Sequence, residues 1–142
     1  MIVKGKSKWA FIKTPNTTFE PKYTINVYPE DEDVLNGFKE QGYPVKTDKV
    51  TGEEYIEAKR KVVNRKGDRN PVPKLKDADL NDVDVQVGNG SYVAVQMKPW
   101  VYDIGGQTYK GFELQGVQVL ELIEYSGDGD EFEKFDAEAS EF

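Results

Sequence analysis

The run SYVAVQMKPWVY (91–102) alternates apolar and polar side chains, which is the pattern of a β-strand with one buried face. A longer run, GFELQGVQVLELIEY (111–125), follows it after a glycine-rich turn. Pro99 predicts an edge position or a bulge in the first run, because proline has no N–H to donate to a neighbouring strand. Gly116 predicts a kink in the second run. The two runs therefore predict the long strands of a mainly β protein.

Three more β-type runs and one helix precede this pair. The strands are KWAFIK (8–13), YTINVY (23–28) and EYIEAKRKVV (54–63). The segment EDEDVLNGFKEQG (30–42) has acidic residues in its first turn, which a helix N-terminus favours. Five strands and one short helix fit a five-stranded, OB-fold-like Greek-key barrel, which we expect for residues 1–127. A β-sandwich is the alternative that strand counting leaves open.

The composition excludes several classes of site. The 142 residues include no cysteine, which excludes disulfides and thiolate metal sites, and no histidine, the commonest general base and metal ligand. No run is long and apolar enough to predict a signal peptide or a membrane span. We therefore expect an intracellular protein that is not an enzyme and binds no metal or cofactor. An enzyme that uses carboxylates alone is the remaining catalytic alternative.

The charges are distributed unevenly along the chain. It carries 26 acids and 19 bases, for a net charge of −7, but seven of the acids and one of the bases lie in DGDEFEKFDAEASEF (128–142). The rest of the chain is therefore almost neutral. This asymmetry predicts a disordered acidic tail, residues 128–142, that contacts partners. Its last residue, Phe142, is unusual for a segment whose only role is solubility.

Each strand can be divided into two faces, because successive side chains point to opposite sides. The predicted core face of the run 91–102 consists of Val93, Val95, Met97 and Val101, and its opposite face consists of Tyr92, Gln96, Lys98, Trp100 and Tyr102. In the run 54–63 the predicted inward residues are Ile56, Ala58 and Val62. Arg60 falls on the inward side, which places it at a rim of the barrel or shifts the register by one residue. In KWAFIK the pattern does not decide which face points inward, since Trp9 and Phe11 suit either the core or the surface.

Exposed rings beside cations are what a sequence-tolerant binder of single strands requires. Every base has a face that can stack on Trp, Tyr or Phe, and Lys or Arg neutralises the phosphates. The residues that we predict to contact nucleic acid are Lys8, Trp9, Phe11, Lys13, Tyr55, Lys59, Arg60, Lys61, Arg65, Lys98, Trp100 and Tyr102. Several of them belong to the basic run 59–76. The alternative is that the rings pack in the core and the cations form an ordinary solvated surface.

The order GNGSYVAVQMKPWVY (88–102), a glycine turn, FELQGVQVLELIEY (112–125) and an acidic tail ending in phenylalanine resembles the single-stranded DNA-binding proteins of short-tailed lytic phages. The resemblance covers residues 84–142. It implies an OB-fold that coats single-stranded DNA during phage DNA replication, recombination and repair in the host cytoplasm. It also implies a homodimer, although the loops and the acidic tail are shorter than in the larger members.

The resemblance also implies a role for the acidic tail. In this family the tail contacts the phage DNA polymerase and helicase/primase, and it occupies the DNA groove when DNA is absent. The residues so implied are Asp128, Asp130, Glu131, Phe132, Phe135, Asp136, Glu138, Glu141 and Phe142. The tail would then mimic the phosphate backbone and compete with DNA in cis for the basic groove. The alternative function is a β-barrel protein-interaction module whose tail only keeps it soluble.

Overall fold

The computed structural model describes residues 1–124, which form seven β-strands and one helix. In chain order the elements are β1 (Ile2–Asn16), β2 (Lys22–Pro29), α1 (Glu32–Glu40), β3 (Lys46–Thr47), β4 (Glu54–Lys61), β5 (Lys74–Lys76), β6 (Tyr92–Ile104) and β7 (Gln107–Glu121). The predicted mainly β architecture with one short helix is confirmed. The predicted number of strands, five, is wrong. The two additional strands, β3 and β5, have only two and three residues and are too short for hydrophobic periodicity to reveal them.

The five long strands form a closed barrel. Hydrogen-bonded neighbours follow the order β4, β2, β1, β6, β7, and a parallel pair between Lys59 and Glu113 joins β7 back to β4. The other neighbours in this ring are antiparallel. Strand β3 pairs with β4, and β5 pairs with the edge of β7 that β4 leaves uncovered. This is a single closed sheet with Greek-key connections, not the two packed sheets of a β-sandwich.

The core lies inside this ring. Val93, Val95 and Met97 of β6 are fully buried, and so are Ile56 and Ala58 of β4. The inward faces predicted for these strands are therefore confirmed at those positions. Burial of these aliphatic side chains stabilises the barrel by roughly 1.5–3 kcal/mol for each of the larger ones.

The β6–β7 hairpin extends beyond the barrel. Strand β1 begins opposite Gln96, so the rest of β6 pairs with β7 alone, and the edge position predicted for Pro99 is confirmed. The predicted burial of Val101 is wrong, because both faces of this projecting segment reach solvent and its side chain is 49% exposed. Gly105 and Gly106 form the two-residue turn with φ of +59° and +84°, a combination that glycine adopts without strain.

The helix packs against the barrel through one apolar face. The Asp31 carboxylate caps it by accepting a hydrogen bond from the N–H of Asp33 at 2.9 Å. Leu35 and Phe38 are the buried residues of the helix, and the Phe38 ring centroid lies 4.8 Å from that of Phe112 in β7. Among residues 1–124 no helix has the length and apolar character that crossing a membrane requires.

Candidate nucleic-acid interface

A row of paired residues crosses the outside of the barrel at the level where β4 meets β7. We call it the outer row, and in order it consists of Phe11, Thr24, Lys59, Glu113 and Lys98. Paired residues of neighbouring strands share one face of a sheet, and these residues alternate with the core residues, so the row faces outward. It brings together three predicted site residues, from β1, β4 and β6, that are distant in sequence.

The surface of β2 and β4 beside the outer row holds a pair of tyrosines. The ring centroids of Tyr28 and Tyr55 lie 5.1 Å apart. The Tyr28 hydroxyl donates a hydrogen bond to Asp48 Oδ2 at 2.7 Å, and Lys8 Nζ donates to the same oxygen at 3.0 Å. Lys8 Nζ also lies 5.1 Å from the centroid of the Tyr28 ring. These contacts hold the tyrosine pair in place and largely neutralise the charge of Lys8, a predicted DNA contact.

This network shifts two pKa values. The pKa of the Asp48 carboxyl is held well below its ordinary value, first by the hydrogen bond from Tyr28 and then by the one from Lys8. The pKa of the Tyr28 hydroxyl is raised above its ordinary value, chiefly by burial and then by its hydrogen bond to Asp48. At neutral pH the network therefore consists of an anionic carboxylate between a neutral phenol and an ammonium group.

The β6–β7 hairpin presents a second pair of rings. The ring centroids of Trp100 and Tyr102 lie 5.5 Å apart on one face of β6. The Trp100 indole lies directly over Gly111, since a β-carbon at that glycine would be 2.4 Å from Trp100 Cζ2. This contact covers one side of the indole and leaves it half-buried, whereas Tyr102 is 62% exposed.

The predicted cations differ in how much of their charge is already compensated. Lys13 and Lys98 are exposed and form no ion pair within residues 1–124. Lys59 and Lys61 each lie near one glutamate, at 4.0 and 3.6 Å, and such exposed pairs contribute little. Arg65 is exposed in the turn that follows β4. Most of these charges are therefore accessible to a phosphate.

Arg60 lies at the rim of the barrel, which was one of the two positions predicted for it. Its inward neighbours Ile56 and Ala58 are fully buried, so the register of β4 is correct. Its side chain is 12% exposed, and Nη1 donates a hydrogen bond to the carbonyl of Pro71 at 2.9 Å. Nε lies 3.5 Å from Glu113 Oε2, next to the pair that closes the ring. Through these contacts Arg60 helps to hold β4 against β7.

Two exposed rings are not singled out by the sequence patterns. Phe19 is 86% exposed in the loop between β1 and β2, where it borders a hollow of about 150 Å³ together with Lys22 and Thr24. Its signal in the sequence is a phenylalanine inside the polar turn TPNTTFEP (14–21), where no strand pattern would bury it. Tyr109, across the hairpin on β7, is 48% exposed.

Trp9 lies at an irregularity in β1 rather than in the outer row. The pairing of β1 with β2 is interrupted between Lys8 and Phe11, and Trp9 has a φ of +53°, which residues other than glycine rarely adopt. Its side chain is 59% exposed, whereas Ile12 is buried. The sequence pattern did not decide which face of KWAFIK points inward, and the structure shows that it is the face of Ile12. Residues 1–124 contain no cluster of acidic side chains that could hold a metal ion.

Comparisons with known proteins find a likeness in structure only. No family model matches the chain, and no curated protein matches it. The solved single-stranded DNA-binding protein from bacteriophage Enc34 is similar, with a TM-score of 0.62 and 15% identity over 89% of this chain and 83% of that one. The same protein in complex with single-stranded DNA gives a TM-score of 0.60 and 14% identity over 88% and 87% of the two chains.

A third similar structure is gp2.5, a single-stranded DNA-binding protein encoded by bacteriophage T7. Its TM-score is 0.61, with 14% identity over 93% of this chain and 97% of that one. The chain shares the fold of these phage proteins. At 14–15% identity this likeness shows the fold alone.

Proposed function

We propose that this chain binds single-stranded DNA with little sequence preference and has no catalytic role. The observation that carries the proposal is the outer surface of β2, β4 and the hairpin, where rings and cations lie side by side. In OB-type barrels, oligonucleotides bind across the second and third strands of the ring, between the loop joining strands one and two and the loop joining strands four and five. The corresponding elements here are β2, β4, the loop 17–21 and the turn at 105–106.

The rings supply sequence-tolerant stacking. Tyr102 and Trp100 lie at the hairpin end of this surface, Phe19 lies at the loop end, and Phe11 and Tyr55 lie between them. Stacking a base on such a ring contributes roughly 1–3 kcal/mol, and it does so for any base. A surface with several rings at separate points therefore holds a strand without reading its sequence.

The cations supply the interaction with phosphates. Lys59, Lys61 and Lys98 lie on or beside the outer row, and Lys13 and Arg65 lie at its margins. Each phosphate that they neutralise releases counterions, which makes binding sensitive to salt. Lys8 and Arg60, whose charges are compensated within the protein, act in this proposal by positioning the tyrosine pair and the β4–β7 junction. Phe19 and Tyr109 are thus proposed as DNA contacts in addition to the residues predicted from sequence.

The biological role is part of the same proposal. Binding would serve phage DNA replication, recombination and repair in the host cytoplasm, and the acidic tail, with Phe142 at its end, would recruit the DNA polymerase and helicase/primase. The acidic tail lies outside the described residues, and its support is its charge of seven acids against one base. A homodimer is proposed on the resemblance to phage proteins.

A fluorescence titration tests the proposal. The chain has two tryptophans, Trp9 and Trp100, and Trp100 lies on the proposed surface, so a change in its emission reports binding directly. We expect oligo-dT to bind more tightly than a duplex of the same length, and its log affinity to fall by about 0.7 per neutralised phosphate for each tenfold rise in salt. Equal affinity for the duplex, or affinity that is independent of salt, would favour the β-barrel protein-interaction module instead.

A further inference from the structure

A pocket of about 320 Å³ lies between residues 9–14 of β1 and residues 84–87 of the segment that leads into β6. It exists because β6 begins at Tyr92 and covers β1 only from Ile2 to Lys6, so the next part of that β1 edge has no strand beside it. Within the described chain, no backbone hydrogen bond joins residues 9–14 to residues 84–87. The volume is at the lower end of the range that holds small ligands, and it suits a single flat ring.

The backbone is strained at the mouth of this pocket. Trp9 adopts a φ of +53°, and its N–H is held by Asn89 Oδ1 at 2.9 Å. Such strain persists only where the surrounding structure imposes it, and it is concentrated at binding sites. Here it turns β1 at Trp9, so that the indole lines the pocket while remaining 59% exposed.

The lining of the pocket combines apolar walls with a polar edge. Ala10, Ile12 and Val87 provide apolar surface, and Asp84 and Gln86 provide polar groups. Within residues 1–124 the side chains of Asp84 and Gln86 make no hydrogen bond or ion pair. A flat ring with hydrogen-bonding groups on its edge, which is a nucleobase, matches this lining better than an aliphatic or phenyl side chain does.

Cations lie next to the pocket, where a phosphate of the same strand would be. Lys13 lines it, and the pKa of the nearby Asp82 is lowered first by a hydrogen bond from Lys76 and further by the charges of Lys13 and Lys74. Lys13 and Lys74 make no ion pair in the described part of the chain. Phe11 belongs both to the pocket lining and to the outer row. The pocket is therefore continuous with the proposed DNA surface.

We propose that this pocket receives one unstacked base of the bound single strand, with Trp9 against its ring and the Asp84 carboxylate accepting hydrogen bonds from its amino-bearing edge. This inference rests on the proposed function and adds a preference to it. Guanine, cytosine and adenine carry amino donors that a carboxylate can accept from, whereas thymine presents two carbonyls beside a single N–H. At one position of the strand the protein therefore prefers an amino-bearing base to thymine.

The test compares affinities of the full chain for oligo-dT and for the same oligomer with one central dG. A carboxylate paired with the correct base edge is worth enough to expect about tenfold tighter binding of the dG oligomer. Asp84→Ala should reduce this ratio to within about twofold. Asp79→Ala is the matched control, because it removes the same charge from an exposed acid of the same segment that does not line the pocket. It should strengthen binding to both oligomers equally and keep the tenfold ratio.

Each outcome of this test has a separate meaning. A wild-type ratio near one, or a ratio that survives Asp84→Ala, contradicts the base pocket while leaving the proposed function intact. Failure of both oligomers to bind contradicts the proposed function and the pocket with it. In a Trp100→Phe variant, Trp9 is the sole tryptophan. If its emission responds to an acidic peptide containing phenylalanine and not to either oligomer, the pocket belongs to a peptide and the inference is wrong.

Discussion

Tyr102 is the residue at which stacking can be separated most cleanly from folding. It is 62% exposed at the end of the hairpin, and it contributes nothing to the core. We expect Tyr102→Ala to weaken binding to oligo-dT by about 1–3 kcal/mol, because one stacking platform is lost. The measurement is a pair of affinities at one salt concentration. An unchanged affinity would remove the hairpin from the interface.

A neighbouring residue provides the control for this experiment. Val101 lies on the opposite face of the same strand and is 49% exposed, so Val101→Ala removes exposed apolar surface without removing a ring on the outward face. It should leave the affinity for oligo-dT unchanged. Equal losses in the two variants would indicate that the hairpin is disturbed as a whole.

The same two residues show what alternation along a strand can predict. The pattern correctly placed Tyr102 on the surface and Val93, Val95 and Met97 in the core. It failed at Val101 because alternation reports the face of a strand and not where the barrel ends. Phe19 could not be predicted by this method, since its loop has no period that would separate one face from another.

At the scale of elements, the contacts of Asp48 join β1 and β2 to the turn between β3 and β4. The carboxylate accepts hydrogen bonds from Tyr28 and Lys8, and it also accepts from the N–H of Val50 within its own turn. Its side chain is 11% exposed, so water competes little for these bonds. The network thereby couples the position of the Tyr28–Tyr55 pair to the ionisation of one carboxyl group.

We expect this coupling to appear in the pH dependence of stability. The pKa of Asp48 is lowered by folding, so its contribution is present above the ordinary carboxyl pKa, near 3.8, and is lost as the pH falls through the folded-state value. Asp48→Asn should lower the free energy of unfolding at pH 7. The difference from wild type should stay constant down to about pH 5 and shrink below about pH 4. Urea unfolding at a series of pH values measures it.

A matched substitution provides the control for this experiment. Asp79→Asn also removes one carboxylate, from an exposed site without an ion pair in residues 1–124, and it should change stability little at any of these pH values. A difference between wild type and Asp48→Asn that grows as the pH falls would contradict the assigned role of Asp48.

The elements themselves were predictable in proportion to their length. The helix and the long strands have enough residues to show a period, and the helix observed at Glu32–Glu40 lies within the predicted 30–42. Strands β3 and β5 could not be found this way, because they have only two and three residues. The Asp48 network also escapes sequence reasoning, because Lys8 is 40 residues away from its partner.

For the whole molecule, the distribution of charge is the feature with the largest expected effect. The acidic tail carries seven acids and one base, and the proposed DNA surface carries lysines. If the acidic tail competes with DNA in cis, removing residues 128–142 should tighten binding to oligo-dT and abolish contact with the polymerase or helicase. The same oligonucleotide titration and a pull-down measure the two effects.

The control keeps the length of the chain and changes its charge alone. A variant with the acids of 128–142 replaced by their amides should bind oligo-dT as tightly as the deletion does, since competition by charge does not depend on the tail being absent. Weaker DNA binding after deletion would show that the acidic tail assists the interface, and the idea of competition would then be wrong.

The sequence predicted the mainly β fold class more readily than it predicted how the barrel closes. The paired runs at 91–102 and 111–125 were sufficient to predict the long strands of a mainly β domain. The pairing of Lys59 with Glu113, which closes the ring, and the gap between β1 and residues 84–87 depend on long-range register that local patterns do not contain.

The most direct test of the central proposal is an NMR titration of the full chain with oligo-dT, followed through the backbone amide signals. Single-stranded DNA lying across the outer row should produce the largest shifts in three regions: the loop around Phe19, the end of β4 at Lys59 and Lys61, and the hairpin around Tyr102. Shifts concentrated instead on α1 and the N-terminal residues of β1, with those three regions unaffected, would contradict it.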